Sequence, residues 1–220
     1  LRYNDIRISG LKVSSVWSPD AVDVDLTLNA ASGEELVVSG GVYDWTGPVR
    51  KIRLDHMAFT SDALPALVSE SPSQIVVNGD SVLIESVRLV SREASFQAGG
   101  AFGLSRSGRV SAEMSLENLD LQMVRGFVEG GEALDGCVTA HMTLNGFADD
   151  PEIIFSASLF EGMYKGLALS EFHIQSIYRD HRADAEASFF GPERKLADLR
   201  GTMSCRLALY PFAFSFEPEP

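Results

Sequence analysis

The phrase Val82-x-Ile84-x-x-Val87-x-Leu89 decides the fold, because apolar residues alternate on each side of a two-residue gap, as in a strand whose phase shifts once. The phrase occurs twice more in the chain, as Ile6-x-Ile8-x-x-Leu11-x-Val13 and as Leu167-x-Leu169-x-x-Phe172-x-Ile174. The three copies start roughly 80 residues apart, and self-similarity at a nearly fixed period is the signature of a repeat architecture. The sequence therefore predicts one elongated β-repeat segment, with approximate units at residues 1–75, 76–160 and 161–220.

The two-residue gap predicts a bend in each unit. A slip of one residue turns every later side chain of a strand to the opposite face, unless a β-bulge or a corner absorbs the slip. Bends repeated at corresponding places of one long sheet would curl it. We therefore expect a curled sheet that forms an open trough.

Period-two alternation continues along most of the chain, with clear runs at residues 22–28, 110–116, 138–144 and 153–159. In the second run Val110, Ala112, Met114 and Leu116 alternate with serine and glutamate. One apolar and one polar face is the pattern of antiparallel sheets. We predict an all-β fold with very little helix, limited to single turns within residues 63–68 and 119–128.

Composition narrows the class of protein. The 220 residues have a net charge of −13 and are 45% hydrophobic, which is enough to bury a core. The acidic balance argues against a nucleic-acid partner and against docking on an anionic membrane surface. No run approaches the ~18 apolar residues of a membrane-spanning helix. Because the chain starts at Leu1 without a signal sequence, we expect a segment of a longer protein.

The residues that most often perform chemistry are scattered. Cys137 and Cys205 have opposite strand phases, which predicts that they do not form a disulfide. His141 and His173 fall on polar strand faces, each with one same-face neighbour able to bind metal, whereas a zinc site needs three or four ligands. No nucleophile elbow, phosphate-binding glycine loop or zinc-protease motif is present. We predict no enzymatic activity, no cofactor and no metal site.

A family resemblance appears in the second half of the chain. Four short sequence motifs occur in a fixed order, with strand-like segments between them. They are Leu134-Asp135-Gly136, Thr143-Leu144-Asn145-Gly146, Asp150-Pro151-Glu152-Ile153 and Gly162-Met163-Tyr164-Lys165-Gly166. In this order they resemble the TamB and AsmA-like proteins. The resemblance is good from about residue 75 to residue 209, looser before, and absent in residues 210–220.

The resemblance implies a location and partners. TamB-like proteins are anchored in the inner membrane of diderm bacteria by an N-terminal segment, span the periplasm, and hold lipid in a curled, apolar-lined sheet. They support outer-membrane biogenesis and protein assembly with a partner barrel of the TamA or BamA type. By this resemblance the chain would be part of a periplasmic bridge that carries phospholipid acyl chains towards the outer membrane.

The candidate binding residues share one strand phase, while Glu113, Thr143 and Ser156 point the other way. We expect the candidate residues to line one apolar surface that binds acyl chains. They are Phe96, Phe102, Met114, Leu116, Met142, Leu144, Phe155 and Leu159. The alternative is a closed core without ligand, as in a stalk or passenger of an exported protein. A solenoid passenger has a shorter period, ~20–30 residues, which the chain lacks.

Overall fold

The computed structural model describes residues 2–3, 6–30, 33–44, 46–61, 64–122, 134–164 and 167–216. Within these ranges sixteen strands form one sheet. The first eight are β1 (Arg2–Tyr3), β2 (Ile6–Trp17), β3 (Ala21–Ala30), β4 (Glu35–Tyr43), β5 (Val49–Ser61), β6 (Leu64–Ser69), β7 (Ser73–Asn78) and β8 (Ser81–Val90). The others are β9 (Ser95–Gly103), β10 (Arg109–Asp120), β11 (Leu134–Phe147), β12 (Asp150–Tyr164), β13 (Leu167–Arg179), β14 (Arg182–Phe190), β15 (Lys195–Leu209) and β16 (Phe212–Phe216).

The sheet is a meander, because strands that follow each other in the chain lie side by side and pair antiparallel. Strands β6 and β7 share one position between β5 and β8, where residues 70–72 interrupt what is otherwise a single strand. Fifteen strand positions at the usual spacing of about 4.8 Å give a sheet roughly 67 Å long. The structure thus confirms the prediction of an all-β, elongated, curled antiparallel sheet.

One of the two predicted helical turns is wrong. Residues 64–69 form strand β6, in which Leu67 pairs with Phe59 of β5 and Val68 with Val90 of β8. Backbone pairing on both sides overrides the local helical spacing of the apolar residues. In the second stretch, residues 121–122 form a short 3₁₀ turn and residues 123–128 lie outside the described part of the chain.

The predicted bends are confirmed in the first two repeat phrases. The register of β2 against β3 shifts between Ile8 and Gly10, and that of β8 against β9 shifts between Ile84 and Val87. Both shifts fall on the two-residue gap of the phrase. The third phrase, in β13, pairs with β12 in unbroken register, and opposite its gap Glu161 has a φ of 52°.

A crease runs across β4 to β8 where irregularities line up on neighbouring strands. In β4 the register against β5 shifts between Ser39 and Gly40. Next to it in the sheet lie the break at residues 70–72, between β6 and β7, and the register shift of β8. The buried hydroxyl of Ser73 fixes this line by donating to the carbonyl of Ser86 at 3.0 Å. At Gly40 a Cβ would collide with the carbonyl oxygen of Arg53, so two strands approach here as only glycine permits.

Six of the buried apolar residues form two small clusters at opposite ends of the strands. The first-end cluster contains Val110, Leu144 and Ala148, and Leu209 from the distant strand β15 packs against it. The second-end cluster contains Leu67, Ala94 and Leu119. Within the described ranges no helix and no second sheet covers the area between the clusters. The sheet is a single layer, and at the first end β15 returns over it to contact β12 and the first-end cluster.

Candidate functional site

The eight candidate residues all lie on one face of the sheet. Directly paired residues of antiparallel strands share a face, and the register pairs Met114 with Met142 and Met142 with Phe155. The same reasoning joins Phe96 to Leu116, Phe102 to Val110, Leu144 to Ala112 and Leu159 to Val138. We call this surface the apolar face. Four consecutive strands, β9 to β12, therefore present the candidate residues as one surface.

The candidate residues differ in burial. Met114, Met142 and Phe155 are half-buried and occupy the middle of their strands. Leu144 has only 7% of its surface exposed because it belongs to the first-end cluster. Phe102 packs against that cluster, and Leu116 packs against the second-end cluster. An accessible apolar track therefore runs between the two clusters, with Met114, Met142 and Phe155 as its floor.

The apolar face extends beyond the candidate residues into the first third of the chain. A cavity of about 270 Å³ lies on the same face over β3 to β5. Its apolar side chains are Val24, Leu26, Val38, Val42, Ile52 and Leu54. The sequence contains the signal, an alternation from Val22 to Leu28, but the register shift beside Gly40 hides how β4 and β5 align. Sequence reasoning missed this part of the surface.

Charged groups concentrate on the opposite, polar face. Examples are Arg182 with Asp184 at 2.9 Å and Arg200 with Glu186 at 3.3 Å, both between exposed side chains. Arg50 has the phase of the apolar face, since it pairs with Val77, but it is exposed at the first end of β5. The middle of the track is therefore lined by uncharged side chains across β9 to β12.

Three polar side chains meet on the polar face in an order that resembles a hydrolase triad. The Oγ atom of Ser158 lies 2.7 Å from Nδ1 of His173, and Oε1 of Glu171 lies 2.8 Å from Nε2. Strand phase in the sequence already places Glu171 on the same face as His173. Acyl transfer also needs free N–H donors for the oxyanion, whereas Ser158 lies mid-strand, paired with Thr139 and His173. The arrangement is a polar cross-strand network.

The cysteines lie on opposite faces, as predicted. Cys137 pairs with Asp120 and Phe160 on the polar face and is a free thiol, so it has no bond to Cys205. Burial raises the pKa of the Cys137 thiol, and the carboxylate of Asp120 raises it further. Cys205 is 2% exposed and belongs to the apolar face.

Within the described ranges, no three histidine, cysteine or acidic side chains are grouped so as to hold a metal ion. No helix there has the length and hydropathy needed to cross a membrane.

Comparison of the chain with models of protein families, with curated proteins and with solved structures gave no match. The class is therefore defined by the structure: a single-layer, curled antiparallel sheet with one apolar and one polar face.

Proposed function

We propose that this chain is a segment of a bridge-like lipid-transfer protein and that its apolar face holds phospholipid acyl chains. The observation that carries the proposal is the half-buried row of Met114, Met142 and Phe155 between the two buried clusters. Burying apolar surface is favourable, and here the fold itself leaves much of that surface uncovered. Hydrocarbon is the occupant that matches an uncharged track.

The energy of such binding would be substantial. Each methylene removed from water contributes roughly 0.8 kcal/mol, so about ten buried methylenes of one chain contribute on the order of 8 kcal/mol. The side chains suit a variable ligand, since methionine adapts to irregular shapes. The polar headgroup would remain in water beside the track, where it needs no dedicated polar pocket.

The proposed location is the periplasm of a diderm bacterium, with the parent protein anchored in the inner membrane by a segment outside this chain. The proposed partner is an outer-membrane barrel of the TamA or BamA type, and the proposed role is supporting outer-membrane biogenesis and protein assembly. Location and partner rest on the resemblance to TamB and AsmA-like proteins.

Lipid extraction followed by mass spectrometry of protein exported to a bacterial periplasm tests the proposal. We expect phospholipid to co-purify with the wild-type chain and to fall several-fold in Met142→Asp, because a carboxylate on the track would meet hydrocarbon without a partner. The matched control is Thr143→Asp, one residue along β11 on the polar face, which should retain the lipid. Absence of lipid from the wild-type chain, or equal loss in both variants, would contradict the proposal and favour the closed-core alternative.

A further inference from the structure

In the part of the chain that the structure describes, one stretch of strand β15 has no strand beside its outer edge. The strand pairs with β14 through residues 195–204, whereas β16 pairs with it only from Cys205 to Leu209. Among the described residues, nothing pairs with the outer edge of residues 195–204. Such an edge offers a row of backbone donors and acceptors to another strand. Leu199 on this stretch is 59% exposed and Met203 is 40% exposed.

The sequence of this stretch is complementary to itself. In an antiparallel pair of two copies centred on Leu199, Asp198 of each copy faces Arg200 of the other, and Leu199 faces Leu199. Opposite charges directly across two strands stabilise the pair, and like charges destabilise it. Two identical strands can form this arrangement only about a two-fold axis, as in an isologous dimer.

The charges favour the register centred on Leu199, because it sets opposite charges across from each other. Centring the pair on Asp198 would place two aspartates opposite each other, and centring it on Arg200 would place two arginines opposite each other. A slip of a single residue would set the apolar face of one copy against the polar face of the other. The Leu199-centred register pairs residues 197–201 with their symmetry mates, within the stretch that β16 leaves open and clear of Leu196, which bulges out of the pairing with β14.

Both charged groups have capacity for the partner copy. Arg200 contacts Glu186 through Nε at 3.3 Å, and its guanidinium has two further nitrogens. Asp198 uses Oδ1 for Lys195 and for the hydroxyl of Ser188, and its carboxylate has a second oxygen. The outer edge of β2 lacks this complementarity, because in residues 9–17 Lys12 is the one charged side chain.

We propose that two copies of this chain pair edge to edge through β15, about a two-fold axis at Leu199. The axis is perpendicular to the sheet, so both apolar faces lie on the same side and join into one surface of twice the length. The dimer does not depend on what the apolar face binds. The occupant of the edge is a second copy of this chain, because the edge complements itself in charge and in register.

Sedimentation velocity of the full 220-residue chain tests the dimer. We expect a species of twice the 23.9 kDa chain mass at protein concentrations up to about 100 µM. Asp198→Arg places arginine opposite Arg200 twice per dimer and should raise the dimer dissociation constant about tenfold or more. The exchange of both charges, Asp198→Arg with Arg200→Asp, restores opposite pairs and should restore the dimer.

The control for net charge is Glu113→Arg, which changes the net charge by the same amount as Asp198→Arg. Glu113 is an exposed residue of the central strand β10, so this variant should leave the dimer intact. Circular dichroism of each variant verifies the folded sheet. A wild-type monomer throughout the concentration range would overturn the proposal. Growth into larger polymers, which indicates pairing of β15 with β2 of the next copy, would overturn it too. So would failure of the double exchange to restore the dimer in a folded variant.

Discussion

Leu144→Asp will destabilise the fold by about 3–5 kcal/mol, because it places a carboxylate without a partner in the first-end cluster. Leu144 is 7% exposed and packs with Val110 and Ala148. The cluster joins strands from distant parts of the chain, since the side chain of Leu209 packs against the cluster. The backbone N–H of Leu209 also donates to the carbonyl of Ala148 at 2.6 Å. Urea unfolding followed by circular dichroism measures the change.

The matched variant is Met142→Asp, two residues along the same strand and on the same face, where the side chain is half-buried. Water reaches this position in the free protein, so we expect a loss of about 1–2 kcal/mol. Equal losses at residues 142 and 144 would show that the middle of the track is closed like its end. The pair therefore separates an open track from a continuous closed core.

Gly40→Ala will cost about 2–4 kcal/mol, because the added Cβ would collide with the carbonyl oxygen of Arg53 on the neighbouring strand. The obstacle is backbone, so relief requires β4 and β5 to move apart at the crease. That movement would also widen the cavity bordered by Val38 and Leu54. Thermal unfolding and urea unfolding both report the loss.

Gly201→Ala is the control for this substitution. Gly201 lies in β15, and a Cβ there has no heavy atom within 4 Å beyond its chain neighbours. Alanine is more favourable than glycine within a strand by roughly 0.5–1 kcal/mol, so this variant should be as stable as the wild type or more stable. A similar loss in both variants would mean that the close approach at Gly40 does not hold the crease together.

Strand phase accounts for most of the structure that the sequence predicted correctly. Alternation placed Met114, Met142 and Phe155 on one face, and the repeated gap located bulges in β2 and β8. Phase is a local property, so it can be read without knowing which strands are neighbours. The presence of one apolar and one polar face then predicted that the strands pair antiparallel.

The features that the sequence could not supply depend on long-range contacts. Leu144 is buried because Leu209 returns to it from β15, and no local pattern encodes that contact. Residues 64–69 form a strand because β5 and β8 pair with them, although their apolar spacing also suits a helical turn. The crease at Gly40 and the cavity over β3 to β5 depend on register shifts that alternation alone cannot locate.

The central claim is that acyl chains occupy the apolar face, and photo-crosslinking tests it most directly. A benzophenone side chain at residue 114 or 142 would lie on the floor of the track, whereas one at residue 113 or 143 would lie on the polar face of the same strands. The lipid-track account predicts phospholipid captured from residues 114 and 142 in living cells, and none from residues 113 and 143. Equal capture from both faces, or none from either, would contradict it.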